Sequence, residues 1–448
     1  MIRWAERELS SWGRVHKAQC LAARPERHSD LLSTMTDSLA MGGSMLAYGA
    51  GRSYGDVALN SGGRSVITTR LDRMLAFDSV TGLLVAETGV TFGEILATFL
   101  PLGFAPPVTP GTGFATLGGG VANDVHGKNH HISGSLGHHV EWLELRLPSG
   151  ECRRLTRVES GPLWRATIGG LGLTGLIERI ALRLKRVPSN ALKVHKRRIS
   201  NLNEFLVAFA EHAKTDYVVG WIDALARGSS LGRGILETGT PTNLGIEPSN
   251  VTPRRMPFDL PSIALNSTTV QAFNALYRRH VPSAGLERTM HYAKFLYPLD
   301  AIHDWNRIYG KRGFHQFQSL IPYEAGETAL RKLLECVAQS GQGSFLAVLK
   351  AMGERGLGYM SFPAPGYTLA LDFPNSPGVT TLLTKLQFIT ADHGGRVYLA
   401  KDDTLPPGQL PAMYPELEEY RAVLAEIDPQ GRIDSDLSRR LGIRKRSS

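Results

Sequence analysis

Three glycine-rich segments lie within the first 175 residues of this 448-residue chain, and they limit what it can fold into. The first, Tyr48–Asp56 (YGAGRSYGD), follows the apolar Met45–Ala47 and carries Gly49, Gly51 and Gly55. The second, Pro110–Gly137 (PGTGFATLGGGVANDVHGKNHHISGSLG), is denser and also holds His126, Lys128, His130 and His131. The third, Gly169–Gly175 (GGLGLTG), runs into the apolar Leu176–Leu184. Glycine gives up more backbone freedom on folding than any other residue, so such runs persist where a ligand must approach the main chain. Successive amides in a loop of this kind can point at an anion. The first segment is neither a phosphate loop ending in Gly-Lys-Ser/Thr nor the G-x-G-x-x-G fingerprint. One such loop alone implies a tight turn, whereas three in order across one region imply a bound ligand.

Around these loops the sequence reads as α+β. Ser65–Thr69 and Leu83–Glu87 are β-rich and bounded by turn residues, and Gly89–Leu102 has helical apolar spacing. Trp142–Leu147 and Gly175–Leu184 read as further strands, and Val187-Pro188 marks a boundary. A second unit is expected from near Leu192, opening with a helix over Leu202–Ala213 signalled by Asn201 and Asn203. Between Arg227 and Pro261 the periodicity fades into glycine, proline, serine and threonine, which implies either a lid or a flexible connection. His315–Ile321, Phe345–Lys350 and Tyr367–Phe373 alternate like strands, and Glu327–Gln339 and Thr380–His393 read as helices, so an antiparallel sheet backed by helices is expected. The division is residues 1–190, with 395–448 returning to them, and residues 191–394.

Length favours two domains, or one domain with a large insertion, over a single core. Hydrophobic residues at 42% and charged residues at 20% exclude extended disorder. Cys20, Cys152 and Cys336 are too few and too scattered for a disulfide framework, which fits a reducing compartment. The N-terminus lacks the apolar core of a signal peptide, and no stretch approaches roughly 18 uninterrupted apolar residues. A cytoplasmic protein is expected. The net charge of +9 favours anionic partners. The basic runs Lys185–Arg198 and Arg439–Arg446 read first as solvated surface, with attraction to an anionic membrane as the functional alternative. They lack the interleaved aromatics of a nucleic-acid site, so no nucleic acid is expected. His126, His130 and His131 sit in a glycine loop rather than at helical i,i+4 spacing, and no cysteine completes a set, so no metal is expected.

GRSYGD at Gly51–Asp56, DVHGKNHH at Asp124–His131, FHQFQ at Phe314–Gln318 and YLAKD at Tyr398–Asp402 together resemble one known family. So does FPAPGYTLALDFP at Phe362–Pro374. The chain is similar to FAD-binding oxidases of the vanillyl-alcohol oxidase and p-cresol methylhydroxylase (PCMH) type, and within them to the oxidative subunits of decaprenylphosphoryl-β-D-ribose 2'-epimerases. The resemblance covers nearly the whole chain and implies a two-domain PCMH-type fold. It implies FAD held by Ala47, Gly49, Ala50, Gly51, Arg52, Ser53, Tyr54, Gly55 and Asp56 of the first loop. From the second loop it implies Gly111, Thr116, Leu117, Gly118, Gly119, Asn123, Asp124 and His126, with Ile177 and Tyr398 beyond. Ser53 occupies the position at which some relatives attach flavin through histidine, so the FAD is expected to be non-covalent.

Around the flavin ring the resemblance implies Lys401, His126 and Tyr54 as the catalytic group. Lys128 and Lys350 are expected to hold a phosphate or sugar oxygens. Gln316 and Gln318, two apart on a strand, share a face with the substrate. Plainer roles remain open: Gln316 satisfying nearby polar groups, and Lys350 reaching solvent. Ala370 stands where mycobacterial relatives have cysteine, which leaves pocket shape and substrate choice open. The implied reaction is oxidation of the 2-hydroxyl of a polyprenyl-phosphoryl ribose to a 2-keto intermediate, with a short-chain dehydrogenase completing epimerisation to the arabinose form. The alternative is an oxygen-using oxidase of a free sugar, alditol or aldonolactone. A non-catalytic flavoprotein or anion-binding module is the third possibility.

Overall fold

The computed structural model describes residues 3–247, 254–261, 265–344 and 346–444. Phe345, residues 248–253 of the Arg227–Pro261 segment, and Lys445 and Arg446 of the basic tail lie outside them.

Two sheets come from the N-terminal part. The first has the order Ala5–Ser10, Lys17–Ala23, Arg64–Ile67, Met45–Tyr48, with Arg64–Ile67 parallel to both its neighbours. The second is antiparallel, with the order Met74–Asp78, Leu83–Glu87, Leu176–Arg183, Val140–Arg146, Cys152–Thr156. Apolar spacing in Gly89–Leu102 yields a helix over Phe92–Phe99 that buries Phe92, Ile95, Leu96 and Phe99. Thr91 Oγ1 accepts from the Glu94 amide at 3.2 Å and the Glu94 carboxylate accepts from the Thr91 amide at 2.8 Å, a reciprocal cap that fixes where the helix starts. Pro101 tightens its end into a 3₁₀ turn, and Gly103 leaves it at φ 80°.

The third sheet has eight antiparallel strands in the order Leu286–His291, Ala191–Ile199, Gly234–Pro241, Tyr217–Ile222, Ala347–Met352, Gly366–Pro374, Phe314–Ile321, Arg396–Val397. Period-two alternation gives its strands two different faces. Phe317, Ile321, Leu349, Leu369, Leu371 and Phe373 join one core with Leu330, Leu333 and Leu334 of helix Gly326–Ser340 and Leu382, Leu383 and Leu386 of helix Val379–Asp392. Each such side chain contributes about 1.5–3 kcal/mol by leaving water. Gln316, Gln318, Val348, Lys350 and Ala370, at the alternate positions, line a cleft. The chain therefore has the expected α+β architecture, with an antiparallel sheet backed by helices.

Three local expectations need correction. The large sheet opens with strand Ala191–Ile199, ahead of helix Leu202–Glu211, whose N-cap is Asn201 alone. Arg227–Pro261 is not a single unstructured connection, because Gly234–Pro241 pairs with strands on both sides inside the sheet. Its glycine content misleads: a Cβ at Gly239 would sit 2.8 Å from the Phe295 ring, so that glycine serves close packing. The described part of the basic tail, Arg439–Arg444, is not solvated surface. Arg439 pairs with Asp434 and Asp436, Arg440 with Asp56 and Asp402, and Arg444 with Asp428. In the other basic run, Lys185, Lys193, Lys196 and Arg197 each meet a carboxylate. Among the described residues no helix is long and apolar enough to cross a membrane.

Candidate active site

The glycine loops and the polar face of the large sheet enclose a cleft of about 470 Å³, within the range of small-molecule sites. The first loop leaves strand Met45–Tyr48 and is pressed against protein at two glycines. Gly51 has φ 63° and a Cβ there would meet Tyr48 Oη at 2.2 Å, while a Cβ at Gly55 would meet the Asp402 carbonyl at 1.9 Å. The second loop passes through helix Leu117–Ala122, where Thr116 Oγ1 accepts from the Gly119 amide at 3.3 Å. The third contributes Leu171, Gly172 and Gly175.

Of the residues expected to hold cofactor, Ala47, Gly49, Ala50, Gly51, Arg52, Ser53 and Tyr54 line this cleft, as do Gly111, Thr116, Gly118, Gly119, Asn123, His126, Ile177 and Tyr398. Gly55, Asp56, Leu117 and Asp124 do not; they stand behind the wall. Asp56 is paired to Arg440, and Leu117 is core. Asp124, at φ 41°, accepts from the Gly137 amide at 2.9 Å and from the Ser135 and Ser361 hydroxyls at 2.9 and 2.6 Å. It fixes the turn that carries His126.

Tyr54, His126, Lys128, Gln316, Gln318, Lys350 and Lys401 all line the same cleft. Lys401 Nζ sits 3.6 Å from the centre of the Tyr54 ring, a cation–π contact. Burial lowers the Lys401 pKa from the ordinary lysine range; Asp372 opposes that shift and Lys350 adds to it. Asp372 is raised, mainly by burial. Lys350 is lowered to about 7 by burial and by Lys128. Burial holds His126 well below the usual imidazole value, with Lys350, His130 and Lys401 adding to the effect. Its Nε2 lies 3.0 Å from Gln318 Nε2, which also donates to Thr368 Oγ1 at 3.1 Å. Lys128 Nζ donates to the Phe295 carbonyl at 2.5 Å and lies 4.2 Å from the centre of the Phe295 ring. The Gln316 amide donates to Asp372, so Gln316 both lines the cleft and satisfies a buried carboxylate.

Several further side chains complete the site, among them Asp372 and Phe362 of the Phe362–Pro374 segment, to which the sequence assigns no individual role, and Trp12 and Tyr309, which lie outside the motifs. Asp372, opposite Gln316 in register, also accepts from Tyr309 Oη at 3.4 Å. Phe362 stacks on Tyr398 at 4.6 Å and flanks His126 at 5.4 Å. Arg52 lies between Trp12 and Phe114, 4.3 and 4.8 Å from their ring centres. Alternation along Thr368, Ala370 and Asp372 is the one sequence signal that points to Asp372. The His126, His130 and His131 cluster finds other partners: His130 Nδ1 accepts from the Gly353 amide at 3.0 Å and His131 Nε2 lies 2.8 Å from the Thr215 carbonyl.

The cleft fits a dinucleotide. Buried polar groups are normally satisfied, yet Arg52 Nε, Asn123 Oδ1 and His126 Nδ1 have no hydrogen-bond partner within the protein. The cleft wall thus has hydrogen-bonding capacity that the chain itself does not use. Residues 21–156 match the FAD binding domain family. Loops, cleft and matched family together define a FAD-dependent oxidoreductase. At 32% identity over 451 residues, with 97% of each sequence covered, the chain is similar to decaprenylphosphoryl-beta-D-ribose oxidase of Mycolicibacterium smegmatis (strain ATCC 700084 / mc(2)155), and it belongs to that oxidase's family. An uncharacterised protein of Streptomyces coelicolor is 32% identical over 79% of this chain and 100% of its own length. A probable L-gulonolactone oxidase of Arabidopsis thaliana is 24% identical over 45% of this chain and 36% of its own.

Proposed function

We propose that this enzyme oxidises the 2-hydroxyl of a polyprenyl-phosphoryl ribose to a 2-keto intermediate, the first half of epimerisation to the arabinose form. The observation that carries the reading is Lys401, half-buried over the Tyr54 ring and sharing one cleft with Lys350, Gln316, Gln318 and the glycine loops. FAD, when bound, supplies the hydride acceptor. Lys401 takes the proton from the 2-hydroxyl, a role its lowered pKa suits because a neutral amine is then accessible near neutral pH. Neutral His126 and the Gln318 amide orient the sugar oxygens, and Tyr54 packs under Lys401. Lys128 and Lys350 hold the phosphate. The proposed division assigns FAD to residues 1–190, with 395–448 returning to them, and substrate to residues 191–394. With Ser53 in the first loop, the FAD is non-covalent.

The 2-keto product calls for a hydride donor, for which a separate short-chain dehydrogenase is the proposed partner. The net charge of +9 supports peripheral attraction to the inner membrane surface, and three scattered cysteines fit a cytoplasmic enzyme. A free-sugar oxidase has weaker support, since the lactone-oxidase match spans less than half of either chain. Anaerobic mixing with polyprenyl-phosphoryl ribose is expected to bleach the flavin absorbance, and free ribose, alditols and aldonolactones are expected to leave it. Bleaching by a free sugar alone would defeat the proposal.

A further inference from the structure

A lipid-linked sugar sets a physical problem that the cleft alone does not solve. The polar part of the cleft, with Lys128, Lys350, Lys401, Gln316 and Gln318, suits a sugar phosphate and not a long prenyl chain. Each methylene drawn into water is penalised, so the chain must remain in apolar surroundings while the sugar reacts.

One end of the cleft is mostly apolar, and its carboxylate, Glu237, is paired with Lys196. Val219 and Trp221, Ile235 and Val348 line it from the sheet, and Tyr277 of helix Ser267–Arg279 closes it. Tyr277 meets Trp221 edge-on at 4.8 Å and stacks with Phe273 at 5.7 Å, so aromatic surface runs from inside the cleft to the outside of the helix. There the helix turns large apolar side chains toward water at i, i+3 and i+4: Phe273 is 43% exposed, Leu276 66% and Tyr277 38%. Only Val270 and Asn274 of this helix are buried. Ile302, 40% exposed, lines the same cleft. Beside Ile302 runs Arg254–Arg255, joined by the Met256 amide donating to the His303 carbonyl at 3.0 Å, and Phe258 just beyond is 59% exposed. Basic side chains flank the apolar ones, with Arg278 and Arg279 in the last turn of the helix and Arg254 and Arg255 before Phe258. Apolar side chains at helical spacing with arginine beside them form the pattern of a segment lying in the interface of an anionic bilayer.

We infer that the exposed face of helix Ser267–Arg279, with the Ile302 and Phe258 rim, docks the enzyme on an anionic lipid surface, and that the prenyl chain passes from the bilayer to the cleft over Leu276, Tyr277 and Trp221. This inference rests on the lipid-linked substrate proposed above. It adds the route by which that substrate enters and the side of the molecule that faces the membrane.

Holoenzyme is incubated with vesicles of phosphatidylcholine alone or mixed with phosphatidylglycerol, and the bound fraction is read by sedimentation. Two variants, Leu276→Glu and Arg279→Glu, change side chains outside the cleft. Wild type is expected to bind the mixed vesicles and release them at high salt. Leu276→Glu is expected to weaken binding roughly tenfold or more, from the loss of one buried leucine. Arg279→Glu should weaken it less and flatten its salt dependence. Arg279→Glu should keep the flavin spectrum and reduction by a short-prenyl phosphoryl ribose in free solution, while Leu276→Glu should keep the flavin spectrum and slow reduction by long-chain substrate in vesicles. Wild type that ignores the mixed vesicles, or Leu276→Glu that binds like wild type, overturns the inference. So does a wild-type dimer that Leu276→Glu dissociates, since the face would then join two copies of the chain. Vesicle binding lost in Leu276→Glu, with no phosphoryl ribose reducing even the wild type, leaves the docking surface in place and overturns the substrate reading instead.

Discussion

Arg440 ties the first glycine loop to the segment bearing Lys401, and replacing it tests how much of the site depends on that tie. Its guanidinium meets Asp56 at 2.8 and 2.9 Å and Asp402 at 3.0 Å, and donates to the Leu405 carbonyl at 2.9 Å. In Arg440→Met both carboxylates lose their cation while staying almost wholly buried. Removing one partner of a buried ion pair costs about 3–5 kcal/mol; since the Arg440 side chain keeps 24% exposure, the lower end, about 3 kcal/mol, is expected. The loss should depend on pH with a definite sign. Burial pushes Asp402 up to about 6, against the pull of Arg440. A raised carboxyl binds its proton more tightly in the folded chain, so its contribution is full below the unfolded carboxylate range and is lost as pH rises through about 6. Without Arg440 only hydrogen bonds such as that from the Thr404 amide restrain that rise, and the deficit of Arg440→Met should be small near pH 4 and grow toward neutrality. The assay is urea unfolding at several pH values, with Arg331→Met as control. Arg331 pairs with Glu327 on an exposed helix face, and its loss should cost under about 1 kcal/mol. An Arg440→Met deficit no larger than the control's, or one independent of pH, would refute the reasoning.

Lys401→Met should retain FAD but slow substrate-driven bleaching by about 10²–10⁴-fold, the usual worth of a general base, in anaerobic stopped-flow; unchanged kinetics would remove Lys401 from proton transfer. The wild-type rate should rise with pH through a value below the ordinary lysine range, because only neutral Lys401 accepts a proton. Asp372→Asn removes the negative charge that supports protonated Lys401, so the rising limb should move to lower pH while the flavin spectrum is kept; a limb that stays in place would show that the two groups do not communicate. Acid precipitation should release all of the yellow chromophore into the supernatant, and colour that stays with the pellet would contradict non-covalent binding at a loop carrying Ser53.

Secondary structure is legible wherever spacing alone decides it. Helix Gly326–Ser340 buries Leu330, Leu333, Leu334 and Val337 along one stripe, and strands Phe314–Ile321 and Gly366–Pro374 alternate. Strand Gly234–Pro241 escapes because half of its interest lies in its partners: Gly239 reads as a breaker until Phe295 is seen lying against it. The basic tail misleads for a related reason. Arg440 reads as a surface charge in a run of arginines, and the carboxylates that draw it inward lie 384 residues away at Asp56 and 38 away at Asp402. Asp372 is hidden in the same way, since its partners Gln316 and Tyr309 are set by strand register and by a distant 3₁₀ turn.

What makes Tyr398–Asp402 readable as one unbroken motif is that consecutive residues there serve different parts of the fold. Tyr398 donates its hydroxyl to the Asn123 carbonyl of the second loop at 3.1 Å, and its amide to the Gln318 carbonyl of the large sheet at 2.9 Å. The Ala400 carbonyl accepts from the Tyr54 amide of the first loop at 3.3 Å. Lys401 then lies over the Tyr54 ring, Asp402 takes Arg440, and Asp403 sits between His315 of the sheet at 2.8 Å and His16 at 3.1 Å. A substitution at any of these positions would loosen a joint between two glycine loops and a sheet. The arrangement makes the side chains of Tyr398, Lys401, Asp402 and Asp403 each answer to a partner elsewhere along the chain. It also means that the position of Lys401 is set on both sides, by Ala400 on the first loop and by Asp402 on the tail, so Arg440→Met should disturb flavin reduction as well as stability.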